Sequence, residues 1–124
     1  MQETKIKRIL QIEGALVLLV SLQLYQNSLY SWWLLASLFF LPDIMLLGYL
    51  FNAVVGATLY NLSHSYILPL LLGVFLLWQS PQHLPLILIW TAHIGFDRML
   101  GYGLKLPKGF RYTHLGVIGK AESG

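Results

Sequence analysis

The sequence contains no cysteine and few charged residues. Without cysteine, a thiolate nucleophile, a thiolate metal site and a disulfide scaffold are all excluded. Charged residues make up only 10% of the 124 residues, while 56% are hydrophobic. A typical soluble domain carries about 25% charged residues, and a small one must cover most of its surface with polar groups. The composition therefore predicts an integral membrane protein.

Basic residues are missing from the whole middle of the chain. The eight that are present lie before residue 9 or after residue 97, at Lys5, Lys7, Arg8, Arg98, Lys105, Lys108, Arg111 and Lys120. Nucleic-acid-binding proteins present a basic face within the folded unit, so no nucleic-acid partner is expected. Basic flanks around an apolar centre indicate instead a membrane domain whose ends contact lipid headgroups.

Long apolar stretches predict the membrane topology. A helix needs about 20 apolar residues to cross the hydrocarbon core, and four stretches come close to this length: 9–25, 31–51, 53–78 and 84–100. An even number of crossings places both termini on one side, and the basic ends place that side in the cytoplasm. We expect an all-α fold, a four-helix transmembrane bundle with both termini cytoplasmic. It would form a single multi-pass domain of the cell membrane, residues 1–124, with a basic C-terminal segment at 104–124.

Three carboxylates interrupt these apolar stretches, namely Glu13, Asp43 and Asp97. A charged group at the centre of a membrane helix costs at least about 2.5–3.5 kcal/mol, so the three acids are expected to have a role. A rise of about 1.5 Å per residue places them in the cytoplasmic half of the membrane, together with His64 and His93. His93 and Asp97 are four residues apart and so share one helix face.

Carboxylate oxygens and imidazole nitrogens, in the absence of thiolates, suit Zn, Fe, Mn or Co. Helix bundles build such sites from inward-facing residues of several helices. The sequence therefore predicts a divalent metal, zinc or iron, with the ligands Asp43, His64, His93, Asp97 and Glu13. A bound metal with an open position activates water or dioxygen, which indicates a membrane-embedded metal-dependent enzyme.

The remaining polar residues are assigned to supporting roles in such an enzyme. Glu13 is either a ligand or a general base, while Tyr60, Asn61 and Tyr49 orient water or substrate. The substrate is expected to be a lipid or a small amphipathic molecule. Its head group would contact Arg98, Lys105 and His114, although surface contact with membrane lipids alone would explain the same basic residues.

Three other interpretations remain open. The acids and histidines could form a relay in a small proton- or ion-coupled transporter, or they could simply hold the helices together. Alternatively, the chain could be a non-catalytic interaction subunit. Ala53 and Ala57, four residues apart with Gly48 and Gly56 nearby, would allow close helix contact in a homodimer.

Several short motifs together resemble a family of small integral membrane proteins, the domain of unknown function family DUF4260. The resemblance rests on His93-Ile94-Gly95-Phe96-Asp97-Arg98, Gly101-Tyr102-Gly103-Leu104-Lys105, Thr113-His114-Leu115-Gly116, Glu13-Gly14, Pro42-Asp43, Tyr60-Asn61 and Ser63-His64-Ser65-Tyr66. It covers nearly the whole chain and implies a four-span membrane protein. It brings no established activity, so the metal site is inferred from the residues.

Overall fold

The structure, a computed structural model, describes residues 2–104, 112–113 and 116–117. In the first of these ranges the chain is helical, as predicted. The α-helices are α1 (Gln2–Gln26), α2 (Trp32–Leu38), α3 (Ala53–His64), α4 (Ile67–Gln79) and α5 (Leu84–Met99). Two 3₁₀ helices, Leu41–Leu50 and Pro81–His83, precede α3 and α5. In the tail, β1 (Tyr112–Thr113) pairs antiparallel with β2 (Gly116–Val117).

Helices α1 and α5 pack against each other over most of their length. Their backbones meet at Gly14 and Gly95. A Cβ on Gly95 would lie 2.6 Å from the Gly14 carbonyl oxygen, and a Cβ on Gly14 would lie 2.8 Å from the Gly95 carbonyl oxygen. Small residues allow such close crossings between membrane helices. This contact fixes the position of α5, which carries His93 and Asp97.

The 3₁₀ helix at Leu41–Leu50 packs against α3 as the other half of a hairpin. We call it the 3₁₀ segment. A Cβ on Gly48 would lie 3.1 Å from the Gly56 Cα, and Gly56 packs directly under the Tyr49 ring. Ala57 is also buried. The small residues that the sequence offered for a homodimer are therefore used largely within the chain.

The predicted third stretch, 53–78, is two helices rather than one. Helix α3 ends at His64, Ser65 adopts an extended conformation, and α4 begins at Ile67 with a bend of 41° between the two axes. The bend places His64 at the C-terminal end of a helix, inside the protein. This position leaves its carbonyl oxygen without a partner in the helix.

Two helical segments of the described chain, Thr4–Gln26 and Trp32–Leu50, are long and apolar enough to cross a membrane, and the bent pair α3–α4 meets the same test when counted as one. Helix α5 has 16 residues, about 24 Å, which is shorter than a typical span. Large apolar side chains are exposed along the outer faces of α1 and α4, including Ile12, Leu19, Leu71 and Phe75. Exposed apolar faces of this kind are typical of helices that contact lipid.

The connections between helices gather at the two ends of the molecule. The Tyr30 hydroxyl, between α1 and α2, donates a hydrogen bond to the Gln82 carbonyl oxygen, between α4 and α5, at 2.7 Å. Near the opposite end, the Gln11 side chain donates to the Met99 carbonyl oxygen at 3.2 Å. The first part of α1 therefore lies beside the end of α5.

Candidate metal site

Four of the five predicted metal ligands come together. Asp43 from the 3₁₀ segment, His64 from the end of α3, and His93 and Asp97 from α5 each offer one ligand atom, and these atoms all lie within 4.8 Å of one another. The group thus joins three elements that are far apart in the sequence. We call these four residues the His/Asp group. Such a group could hold a metal ion.

Five of the six distances between the four ligand atoms are close to those of a tetrahedral metal site. His64 Nε2 lies 3.0 Å from Asp43 Oδ1, 3.1 Å from His93 Nε2 and 3.3 Å from Asp97 Oδ2. His93 Nε2 lies 3.2 Å from Asp43 Oδ1 and 3.3 Å from Asp97 Oδ2. The sixth pair, Asp43 with Asp97, lies within 4.8 Å. Edges of 3.0–3.3 Å in a regular tetrahedron would place its centre about 1.8–2.0 Å from each corner, close to Zn–N and Zn–O distances of about 2.0–2.2 Å.

Contacts of Nδ1 with one carbonyl oxygen and one hydroxyl group orient the His64 ring. Its Nδ1 lies 3.0 Å from the Tyr60 carbonyl oxygen and 2.8 Å from the Ser63 hydroxyl. A carbonyl oxygen only accepts, so we assign the proton to Nδ1, and Nε2 of the neutral ring then directs its lone pair at the group. The Tyr60 ring stacks on the His64 ring at a centroid distance of 3.7 Å and holds it in plane.

This tautomer leaves several electron pairs facing one another. The Nε2 lone pair of His64 points at a second imidazole nitrogen and at two carboxylate oxygens, all within 3.3 Å. These atoms repel one another unless a positive centre lies between them. A proton bridges two such atoms, whereas a divalent cation is shared by all four. The donor set of two nitrogens and two oxygens is suited to Zn²⁺ or Fe²⁺.

His93 is completely buried and is covered by aromatic side chains. The rings of Phe39, Phe40 and His64 approach it edge-to-face at centroid distances of 5.4, 6.0 and 5.0 Å. Among the residues that the structure describes, its Nδ1 has no hydrogen-bond partner. Packing rather than hydrogen bonding therefore orients this ring, and it leaves Nε2 pointing at the group.

The four ligand side chains differ in exposure. His93 and His64 are 0% and 3% exposed, Asp97 is 14% exposed, and Asp43 is 35% exposed. Asp43 also lies on a 3₁₀ helix of ten residues, which is unusually long for this kind of helix and typical of strained or hinged segments. Asp43 is thus the most exposed of the four ligands and lies on the least regular helix.

Arg98 supports the group from behind. Its guanidinium donates a hydrogen bond to the His64 carbonyl oxygen at 3.0 Å and stands over the Tyr66 ring, 5.7 Å from its centroid. The bend after His64 leaves this carbonyl without an intrahelical partner, and a cation also complements the C-terminal end of α3. In the structure Arg98 therefore acts as a helix cap, beside its predicted role at the head group.

Other predicted site residues lie elsewhere. Glu13 is exposed on α1 and is not part of the His/Asp group. The neighbouring Gly14 occupies the face of α1 that packs on α5, which directs Glu13 away from the ligands and into electrostatic range of the Tyr66 hydroxyl. Asn61 lines a separate pocket with Thr58 and Ser65. The structure thus leaves Glu13 outside the group.

Tyr60 is buried against His64, and the Tyr49 ring packs on Gly56. Lys105 and His114, predicted at the substrate head group, lie outside the described residues.

Sequence reasoning missed some residues that shape the site. Ser63 contacts the Nδ1 atom of His64 and also donates to the Pro42 carbonyl oxygen at 3.1 Å, so it ties the α3 ligand to the 3₁₀ segment. The position of Ser63 directly before His64 is the feature of the sequence that could have indicated this role. The contact between Gly14 and Gly95 sets the height of α5, and no local pattern in either helix identifies the two glycines as partners.

Comparison with known proteins gives a family but no activity. No curated protein and no solved structure matches the chain significantly. The family model of a domain of unknown function, DUF4260, matches residues 7–118 and so includes every residue of the His/Asp group. Because this match covers most of the 124 residues, the chain belongs to the DUF4260 family.

Proposed function

We propose that the protein is a membrane-embedded, metal-dependent enzyme that acts on a lipid or small amphipathic substrate. The observation that carries the proposal is the convergence of two imidazole nitrogens, 3.1 Å apart, each of which lies 3.0–3.3 Å from two carboxylate oxygens inside an apolar helical protein. Buried acids and histidines of this kind are expensive in a membrane and mark functional sites.

The proposed ion is zinc or iron, held by His64, His93, Asp97 and Asp43. Nitrogen and oxygen donors suit both metals. When bound, such an ion polarises a substrate oxygen or makes a water molecule more acidic.

Four protein ligands fill a tetrahedral site, whereas catalytic sites keep one position open. Asp43 resolves this difficulty, because it is the most exposed of the four side chains. In the proposed reaction cycle Asp43 moves away as substrate arrives, and its free carboxylate accepts a proton from water or from a substrate hydroxyl. Asp97, His64 and His93 stay in place because packing and hydrogen bonds hold them. Tyr60 is a positioning residue, since it acts through the His64 ring.

Metal analysis tests this proposal directly. The purified protein should contain about one zinc or iron ion per chain, measured by inductively coupled plasma mass spectrometry. The His93→Ala variant should contain none. His83→Ala is the matched control, since His83 is an exposed histidine outside the His/Asp group. Fewer than about 0.1 metal ions per wild-type chain would contradict the proposal, because a preformed four-ligand site binds tightly.

The proposed topology has four crossings with both termini in the cytoplasm. It is supported by the hydrogen bond between Tyr30 and Gln82, which joins the two connections that must share the outer side. The chain has no cysteine, so single cysteines can be introduced and labelled. In intact cells, an impermeant maleimide should label Leu29→Cys, whose side chain is 95% exposed. Gln2→Cys should react only after permeabilisation, and the reverse pattern would refute this orientation.

A second candidate is an ion-coupled transporter, favoured by the break in the chain directly after His64. Membrane carriers commonly bind ions where a helix is interrupted. A carrier should release its ion to both sides of a vesicle and support uptake of radioactive zinc, while an enzyme should retain it. Zinc uptake that depends on His93 in proteoliposomes would favour the carrier.

A further inference from the structure

A second feature of the site is an apolar cavity of about 350 Å³ beside the His/Asp group. It lies between α2 and the 3₁₀ segment on one side and α5 on the other. The lining residues are Leu38, Leu41, Pro42, Ile44, Met45, Ser63, Leu86, Ile87, Ile89 and Trp90. Nearly all are apolar, so the cavity suits a hydrocarbon group.

The cavity leads towards the His/Asp group. Leu86 and Trp90 precede His93 by seven and three residues, so these three side chains, with Asp97, follow one face of α5. The distance along the axis from Leu86 to His93 is about 10 Å. Two lining residues, Pro42 and Ser63, each directly precede a ligand in the chain, namely Asp43 and His64.

A larger groove of about 650 Å³ runs between α1, α4 and α5, but it uses a different face of α5. Its α5 residues include Leu84, Leu88 and Thr91. At 100° per residue these lie on the opposite face of α5 from His93. Position relative to the ligands, rather than volume, therefore selects the smaller cavity.

We propose that the smaller cavity binds the hydrocarbon chain of a neutral single-chain oxygenated amphiphile, an alcohol or an aldehyde, with its oxygen at the His/Asp group. The volume is at the low end for small-molecule sites and suits one chain rather than a lipid with two. Four lining residues, Leu41, Ile44, Met45 and Leu86, are 37–56% exposed, so the chain enters sideways from the membrane. Two aspartates balance a divalent ion, so a neutral oxygen donor is accommodated. This assignment of the head group rests on the proposed function.

Photo-crosslinking tests the cavity. The full chain, in lipid nanodiscs, is irradiated with a decanol analogue that carries a diazirine near its methyl end, and the labelled residues are mapped by mass spectrometry. Label is expected on Met45 or Leu86. Leu86→Trp should reduce it several-fold by filling the cavity, and Met45→Trp repeats the test from the opposite wall. Leu70→Trp, in the larger groove, is the matched control and should leave labelling unchanged.

The outcome for the cavity is separate from the outcome for the metal. Label that maps to the larger groove, or that survives both cavity variants, would overturn the cavity assignment even in protein that holds a full complement of metal. Label in the cavity of a protein that contains no metal would support the chain-binding cavity and contradict the metalloenzyme. Metal content is measured on the same samples, so the two failures are distinguishable.

Discussion

The close contact between Gly14 and Gly95 predicts a large effect of one added methyl group. In Gly95→Ala, the new Cβ would lie 2.6 Å from the Gly14 carbonyl oxygen, 2.8 Å from the Leu18 amide nitrogen and 3.3 Å from the Val17 Cβ. The two nearest atoms belong to the backbone, so no side-chain rotation relieves the clash. To reach ordinary contact, α1 and α5 must move apart by several tenths of an ångström along the crossing.

The cost follows from two opposing effects. Overpacking of this kind costs about 1–3 kcal/mol, while replacing glycine by alanine within a helix gains roughly 0.5–1 kcal/mol. We therefore expect Gly95→Ala to lower the free energy of unfolding by about 1 kcal/mol, and by about 2.5 kcal/mol at most. Because α5 also carries His93 and Asp97, the shift should weaken metal binding as well.

Gly73→Ala provides the matched control. Gly73 lies in α4, and a Cβ there would meet only Ile87 Cγ2, at an ordinary distance of 3.6 Å. Gly73→Ala changes helix propensity in the same way as Gly95→Ala, so its effect on stability should be neutral or slightly favourable. Thermal unfolding in detergent, followed by circular dichroism with and without added zinc, measures both variants. If Gly95→Ala unfolds at the same temperature as Gly73→Ala, the two glycines are not in close contact.

Three further variants test individual contacts of the site. Ser63→Ala should weaken metal binding about tenfold, a small effect for a lost outer-shell contact, because the Tyr60 carbonyl oxygen still holds the His64 ring. Competition with a coloured chelator measures the metal affinity, and an unchanged affinity would show that Ser63 does not orient the ring. Arg98→Met should destabilise the protein by about 1.5–3 kcal/mol, since the His64 carbonyl oxygen loses a charged hydrogen-bond donor. Thermal unfolding measures this loss, and a variant as stable as the wild type would show that Arg98 does not cap α3. Glu13→Gln should leave the metal content unchanged, because Glu13 is exposed and lies outside the His/Asp group. A loss of metal on elemental analysis would show that Glu13 is a ligand after all.

Much of the site was predictable because burying ionisable groups in a membrane is costly. Asp43, His64, His93 and Asp97 were identified by type and depth alone, and the structure brings all four together. Glu13 had the same type and a similar depth but points elsewhere. Depth follows from counting residues, whereas direction depends on which face of α1 meets α5. That face is set by Gly14, a residue with no side chain to reveal it.

The fold was predictable at the level of helices but not of their breaks. All four apolar stretches are helical. Neither the bend after His64 nor the change from α-helix to 3₁₀ helix before Pro42 follows from hydropathy, because apolar residues are equally buried by lipid in either form. Both irregularities become reasonable once the ligands are in place, since they bring Asp43 and His64 within 3.0 Å of each other.

The His/Asp group joins two pairs of helices that otherwise pack mainly among themselves, α1 with α5 and the 3₁₀ segment with α3. An ion held there acts as a non-covalent staple across the molecule, closing a chain loop from Asp43 to Asp97. Its affinity would then add directly to the resistance of the whole protein to denaturation. Supply of the metal in the cell would thereby set how much folded protein survives quality control in the membrane, quite apart from any turnover.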